Sequence, residues 1–287
     1  MESRARLTGP RDKACAMEQT HAAVAAPAFT YDPQLSARSS AGGFFLDALR
    51  RRPGGRAVLS ALTILLFVGG SGMFAYPFFT DLYTDQVVQG RLSDEFGGID
   101  VAGYDEWEAS LSSGDPLTRI AIPAIDVDTV VVAGTSPAAL RAGAGHYPST
   151  VLPGQDGNVG IAGHRTTYGR PFNQVDELVR GDEIWLQTPV GDFRYVVGDP
   201  PTDGDCQLYS ERRPEERADS AACITHPRDW SVVSETDEAM LTLTTCHPKG
   251  SAAERMIVRA ALDERYPPGY YQSELGDDDH GDDAAEA

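Results

Sequence analysis

Leu241, Leu243 and Thr245 alternate with Thr242 and Thr244, the period-two pattern of a strand with one buried face. Comparable short runs fill the second half of the chain, at 117–122, 127–132, 158–162, 182–187, 193–197, 240–245 and 256–262. Turn signals such as Ile125-Asp126, Pro189-Val190-Gly191-Asp192 and Pro248-Lys249-Gly250 separate several of them. Many short strands with few helices predict a mainly β fold, a closed barrel or a sandwich. Short helices are expected at 137–142 and 172–178. Between Gly198 and Val233 no strand period is visible, and Pro200-Pro201 and Arg212-Arg213-Pro214 interrupt the chain, so this stretch is expected to be a long loop.

A different pattern occupies residues 57–76, which carry no charge and are long enough to cross a bilayer core. Arg50, Arg51, Arg52 and Arg56 precede this stretch and Asp81 and Asp85 follow it, which orients the N-terminus to the cytoplasm and the remainder outside. A cleaved signal peptide fits less well, because the apolar stretch begins only at residue 57 and exceeds the usual ~7–15 residues. Gly69, Gly70 and Gly72 sit more easily in a membrane helix than in a soluble core helix. The expected organisation is a disordered cytoplasmic arm (1–56), a transmembrane signal anchor (57–76), an extracellular stalk (77–116), a catalytic barrel (117–266) and a disordered acidic tail (267–287). This corresponds to a single-pass protein of the cell membrane.

Charge sharpens that division. Residues 1–56 hold nine Lys/Arg against five Asp/Glu, a net of +4, so the rest carries −23 of the chain's total of −19. An acidic outer domain excludes nucleic acid as a partner, since phosphate binding needs a basic face. Of the four cysteines, Cys15 lies on the cytoplasmic side, whereas Cys206 and Cys223 bracket the polar run 207–222 and can close it as a disulfide outside the cell. That pairing leaves Cys246 free; the alternative, Cys223 with Cys246, stays open at this level. There is no CxxC pair, no HExxH helix and no His/Asp cluster with ligand spacing, so neither a metal nor a cofactor is expected.

Cys246 falls where its strand runs out, and Arg255 stands nine residues later at the start of the next strand. A hairpin would bring the two to one end of a sheet, where a cation favours the nucleophilic thiolate. A thiol nucleophile also needs an acid or base and a donor for the developing oxyanion. His21, His226 and His280 lie in the arm, the long loop and the tail, leaving His146, His164 and His247. His247 is adjacent to Cys246 and in a strand faces the other way. His146, before Tyr147-Pro148, reads equally as a loop histidine bonded to backbone. His164 closes the run 157–164 at another strand end and is the favoured acid, while Arg255 offers a permanently charged donor fork.

Gly163-His164-Arg165-Thr166-Thr167, Leu243-Thr244-Thr245-Cys246 and Arg255-Met256-Ile257-Val258 together resemble the sortases, membrane-anchored cysteine transpeptidases of Gram-positive bacteria. Arg119-Ile120-Ala121-Ile122-Pro123 is similar to their opening strands, and Gly145-His146-Tyr147-Pro148 to the actinobacterial class E group. The resemblance spans about residues 117–265. It implies a closed eight-stranded β-barrel and a C-terminal sorting signal of the Leu-Pro-x-Thr-Gly or Leu-Ala-x-Thr-Gly type, cut between Thr and Gly. By the same resemblance Cys246 attacks the Thr carbonyl, His164 protonates the leaving amine and Arg255 holds the signal and the oxyanion. Thr245, beside the nucleophile, offers a further donor, and Tyr147 either lines the signal groove or packs as a loop aromatic. The implied partners are secreted proteins bearing the signal, the membrane, and lipid II or another peptidoglycan amine. No carboxylate cluster matches a class A calcium site. A pilin-polymerising sortase would differ only in its acceptor. An L,D-transpeptidase lacks its Ser-His-Gly-Cys context here, papain-like peptidases reverse the Cys–His order, and a non-catalytic binding barrel would not need all three residues.

Overall fold

The computed structural model describes residues 53–200, 205–215 and 217–276. The expected arm therefore lies outside the described residues except for its last four, and the acidic tail is described only as far as Gly276. A helix over Pro53–Tyr83 runs through a π-helical turn, Thr84–Val88, into a second helix, Gln89–Gly97. Among the described residues this is one helical run long and apolar enough to cross a membrane, judged by length and composition.

Among the described residues ten strands follow in chain order: β1 Pro116–Ile122, β2 Val127–Ala133, β3 Ala144–His146, β4 Asn158–Gly163, β5 Glu183–Thr188, β6 Gly191–Val197, β7 Gln207–Leu208, β8 Cys223–Thr225, β9 Met240–His247 and β10 Glu254–Tyr266. Eight close on themselves in the order β6-β5-β1-β2-β3-β4-β9-β10, with β10 returning to β6. The pairs β2–β3 and β4–β9 are parallel and the other pairs around the ring antiparallel. The predicted barrel is the fold of the chain, and closure leaves no open edge within the eight-stranded ring.

Alternation fills the interior. Ile120 and Ile122, Val159 and Ile161, Ile184 and Leu186, Leu241 and Leu243, and Met256 and Val258 point inward into one apolar cluster. Each such side chain contributes roughly 1.5–3 kcal/mol by leaving water. The intervening positions, Gly160, Ala162, Thr242, Thr244, Cys246, Arg255 and Ile257, face outward, so the chemistry sits on the outer wall of the barrel.

Residues 77–116, expected as a stalk, contribute packed elements to the barrel. Leu92 is buried with Val130, Val132 and Ala139, and Trp107, on the helix Tyr104–Ser110, is buried with Leu117 and Leu152. The Gln89 amide docks on β2 like a neighbouring strand: Oε1 accepts from Val130 N at 2.8 Å, and Nε2 donates to Val130 O at 3.2 Å and Ala142 O at 2.6 Å.

The stretch 198–233 departs from the expected loop. It carries β7, a short helix Tyr209–Arg212, β8 and a 3-10 turn Ser231–Val233. β8 adds to the outer half of β10, pairing Cys223–Thr225 with Arg255–Ile257, and β7 adds to β8. Two- and three-residue strands are too short to show a period, which is why the sequence pattern does not reveal them. Cys206 and Cys223 are disulfide-bonded with Cα atoms 5.5 Å apart, and Cys246 is the free cysteine among the described residues.

Closing a loop between residues 17 apart restricts the unfolded chain by about 3 kcal/mol. A Cys206→Ser/Cys223→Ser variant should lose stability of that order in denaturant unfolding followed by circular dichroism. An unchanged unfolding midpoint would show that the bridge adds nothing.

Candidate active site

Three strands converge on the site. In the β9–β10 hairpin Cys246 is the direct register partner of Arg255. Facing pairs in an antiparallel ladder place their side chains on the same side, with Cβ atoms about 5 Å apart. On the other flank β4 runs parallel to β9, matched from Asn158–Met240 to Ala162–Thr244. Two residues further on lie Cys246, still on β9, and His164, the first residue past the end of β4. The structure thus brings His164, Cys246 and Arg255 to one end of one wall. Arg255 Nη1 donates to the carbonyls of Glu254 at 3.2 Å and Ala252 at 3.4 Å, which holds the guanidinium at the hairpin end.

Glycines make this approach possible. A Cβ on Gly163 would lie 2.5 Å from the Phe172 ring, and one on Gly160 would lie 2.8 Å from the Tyr147 ring. The Gly-Ile-Ala-Gly spacing before His164 therefore reflects aromatic rings packed on both sides of β4.

Tyr147 lies on the outer wall, its hydroxyl 2.9 Å from Thr244 Oγ1 and its ring edge-on to Trp230 at 6.4 Å. Trp230 is exposed, and the turn that carries it is clasped from below. Asn158 Nδ2 donates to Val232 O at 3.2 Å and Ser234 O at 3.1 Å, Arg259 Nη2 donates to Val232 O at 3.1 Å, and Thr242 Oγ1 donates to Asn158 Oδ1 at 2.8 Å. Tyr147, Trp230 and Thr244 form an aromatic and hydroxyl margin leading toward Cys246. Trp230 was not singled out by sequence; a Trp within the Pro-interrupted stretch 198–233 was the available signal.

Thr245 goes elsewhere. It is buried on the face opposite Cys246, and its hydroxyl donates to Gly163 O at 2.8 Å, tying β9 to β4. His247 and Arg165 share that inner side. Arg165 Nη1 donates to His247 Nδ1 at 2.8 Å and Nη2 to Asp176 Oδ1 at 2.7 Å. His146 is buried too, at the end of β3 and not in a loop, with Nε2 2.9 Å from Val151 O and 3.1 Å from Thr150 Oγ1; the backbone bond is the one its context allowed.

Burial lowers the pKa of His164 below that of a free imidazole, and its ring lies 5.1 Å from that of Tyr168. The loop after it is strained: Tyr168 and Arg170 both hold positive φ, at 54° and 46°. Asp81 braces this loop, accepting from Gly169 N at 3.2 Å and pairing with Arg170 Nε at 3.0 Å, and the Tyr76 and Tyr168 hydroxyls are 3.3 Å apart. No group of three or more His, Cys, Asp or Glu placed to hold a metal ion occurs among the described residues.

A free thiol, an imidazole and a guanidinium gathered at one end of a closed barrel are the groups that acyl transfer through sulfur would call on. The sortase-domain family model matches residues 120–263, half of the chain, and the chain belongs to the sortase family. It is 25% identical over 243 residues to Sortase SrtE1 of Streptomyces coelicolor, covering 77% of this chain and 62% of that protein. It is 28% identical over 150 residues to Sortase D of Bacillus subtilis, covering 51% of this chain and 63% of the relative. The chain thus spans somewhat less than two thirds of the length of these relatives. Among solved structures, a Clostridium perfringens Sortase D5 transpeptidase aligns with TM-score 0.49 and 28% identity, covering 62% of this chain and 99% of that one.

His146, His164 and His247 share one electrostatic consequence. Burial is the largest cause that lowers each pKa, so the folded state resists protonation that the unfolded chain accepts near pH 6.5. Where the unfolded state binds more protons, stability rises with pH. The melting temperature should therefore fall as pH drops from 7.5 through 6.5 toward the lowered folded-state values. In a differential scanning series, His146→Asn, which does not titrate, should flatten that fall. An equally steep fall in the variant would remove His146 as a contributor.

Proposed function

We propose that this protein is a membrane-anchored sortase that cuts a C-terminal sorting signal, of the Leu-Ala-x-Thr-Gly or Leu-Pro-x-Thr-Gly type, between Thr and Gly and joins the new C-terminus to a peptidoglycan precursor amine such as lipid II. The observation that carries this reading is the register: Arg255 opposite Cys246 on β10, with His164 beyond the matched β4–β9 pair.

Cys246 Sγ attacks the Thr carbonyl, and Arg255 donates to the oxygen as it becomes an oxyanion. The C–N bond to Gly breaks as His164 gives its proton to the departing amine, leaving a thioester. The acceptor amine then attacks the thioester carbonyl and surrenders its proton to His164, and the sulfur leaves as thiolate. An imidazole serves both halves because it gains and loses a proton near neutrality. Tyr147 and Trp230 would flank the signal, while Thr245, with its hydroxyl engaged by Gly163, would fix the strand rather than touch substrate. The apolar helix from Pro53 is read as the anchor. With the arginines before it on the cytoplasmic side, the barrel lies outside, where both the signal-bearing protein and a lipid-linked acceptor are available.

The test is incubation of the protein with Leu-Ala-x-Thr-Gly and Leu-Pro-x-Thr-Gly peptides and an amine, followed by mass spectrometry. An acyl adduct on Cys246 and a transpeptidated product are expected, with neither formed by Cys246→Ala. His164→Ala and Arg255→Ala should each lower kcat/KM by roughly a hundredfold or more. Product from Cys246→Ala at the wild-type rate would overturn the reading, and activity lost in His146→Ala but kept in His164→Ala would reassign the acid.

A further inference from the structure

Each residue of the reacting pair is followed at once by a buried ionisable one: His164 by Arg165, which is 3% exposed, and Cys246 by His247, which is 8% exposed. The mechanism above uses neither. Alternation sends both to the inner side of the wall, beneath the pair they follow, and there they meet across 2.8 Å.

The bond has one allowed polarity. A guanidinium carries no acceptor, so Arg165 donates and His247 Nδ1 accepts, which requires a neutral ring with its proton on Nε2. The rest of the guanidinium is committed, Nη2 to Asp176 Oδ1 at 2.7 Å and Nε to Asn173 O at 3.4 Å, and Asn173 Nδ2 returns a bond to Arg165 O at 2.6 Å. On the far side of His247 the Glu254 carboxylate stands 4.0 Å from Nε2, itself bonded by Arg212 at 3.0 Å, and the Tyr209 ring packs edge-on at 5.6 Å. His247 is therefore flanked at both ring nitrogens.

Its position explains what the bond does. The paired register of β4 and β9 stops at Ala162–Thr244, two residues short of His164 and Cys246. Beyond that point the two chains are joined by side chains, Thr245 to Gly163 O and Arg165 to His247. We propose that Arg165 and His247 are positioning residues for the transfer reaction, a buried clamp that fixes the separation of His164 and Cys246 on the opposite face. The inference rests on Cys246 and His164 being the reacting pair. A misplacement of about 1 Å at a reacting pair costs up to about a hundredfold in rate, so a clamp one residue away from each is placed to matter.

The experiment measures kcat and KM with a Leu-Ala-x-Thr-Gly peptide and an amine, with melting temperatures recorded alongside. Asn places an amide oxygen close to where His places Nδ1, so His247→Asn keeps the acceptor, whereas His247→Leu and Arg165→Met break the bond. The bond-breaking variants should lose about tenfold to a hundredfold in kcat with KM within about twofold, and His247→Asn should stay within about threefold of wild type. If His247→Leu does not fold, His247→Gln replaces it, keeping polarity but moving the acceptor by one methylene, with the same loss expected. A folded bond-breaking variant with wild-type kcat, or a His247→Asn as impaired as His247→Leu, would overturn the clamp. Cys246→Ala, run in parallel, separates the two ideas: turnover in that variant would overturn the reaction assignment, whereas its inactivity beside an unaffected His247→Leu would overturn the clamp alone.

Discussion

The register of β9 against its two neighbours is the constraint on which the site depends. Cys246 opposes Arg255 because the β9–β10 hairpin pairs His247 with Glu254 and continues without slip to Met240 opposite Ala261. A one-residue slip would turn Cys246 inward and carry Leu241 and Leu243 out of the core. The apolar interior therefore enforces the alignment of Cys246 with Arg255: the burial that closes the barrel is the same burial that keeps the thiol and the guanidinium outside and together. Closure strengthens the point, since β10 is paired by β9 along one side and by β8 and then β6 along the other.

The two faces of β9 divide the labour. Outward, Thr242 meets Asn158 beneath the clasped turn, Thr244 meets Tyr147, and Cys246 stands opposite Arg255. Inward, Leu241 and Leu243 pack while Thr245 and His247 bind β4 and Arg165. A buried guanidinium is costly unless its donors are satisfied, and the structure meets that cost with Asp176, Asn173 and His247 together. The disulfide has a matching role outside. By engaging Cys206 and Cys223 it leaves Cys246 as the thiol free to react, and it anchors β8 where β8 borders Arg255.

Much of this is legible in the residues. The run 240–245 alternates plainly, and the nine-residue offset from Cys246 to Arg255 is what a direct register pair across a short turn requires. β3 and β8 are hidden because three residues show no period, and β3 contains Gly145, whose added Cβ would meet Gly134 O at 2.3 Å; close packing selects that residue, not strand propensity. The inward placement of Thr245 was readable: the alternation that identifies the strand sets it with Leu241 and Leu243. The Arg165–His247 bond was not readable, because it joins residues 82 apart in sequence and each, alone, is only the residue that follows His164 or Cys246.

The least local feature is the brace on the His164 loop. Tyr168 and Arg170 hold left-handed backbone on either side of Gly169, a conformation that costs on the order of 1–3 kcal/mol at each non-glycine residue. Such a loop persists only where other contacts over-determine it, and here those come from the helical run before the barrel, through Asp81 and Tyr76. Tyr168 in turn packs beside the His164 ring. The imidazole is thus held from two directions: from beneath, where Arg165 ties its strand end to β9, and from its own loop, where residues 76–81 hold a strained turn in place. A barrel cut free at residue 117 would keep the β9–β10 register but lose the second support, so the segment between the apolar stretch and β1 belongs to the site's architecture as much as the strands do.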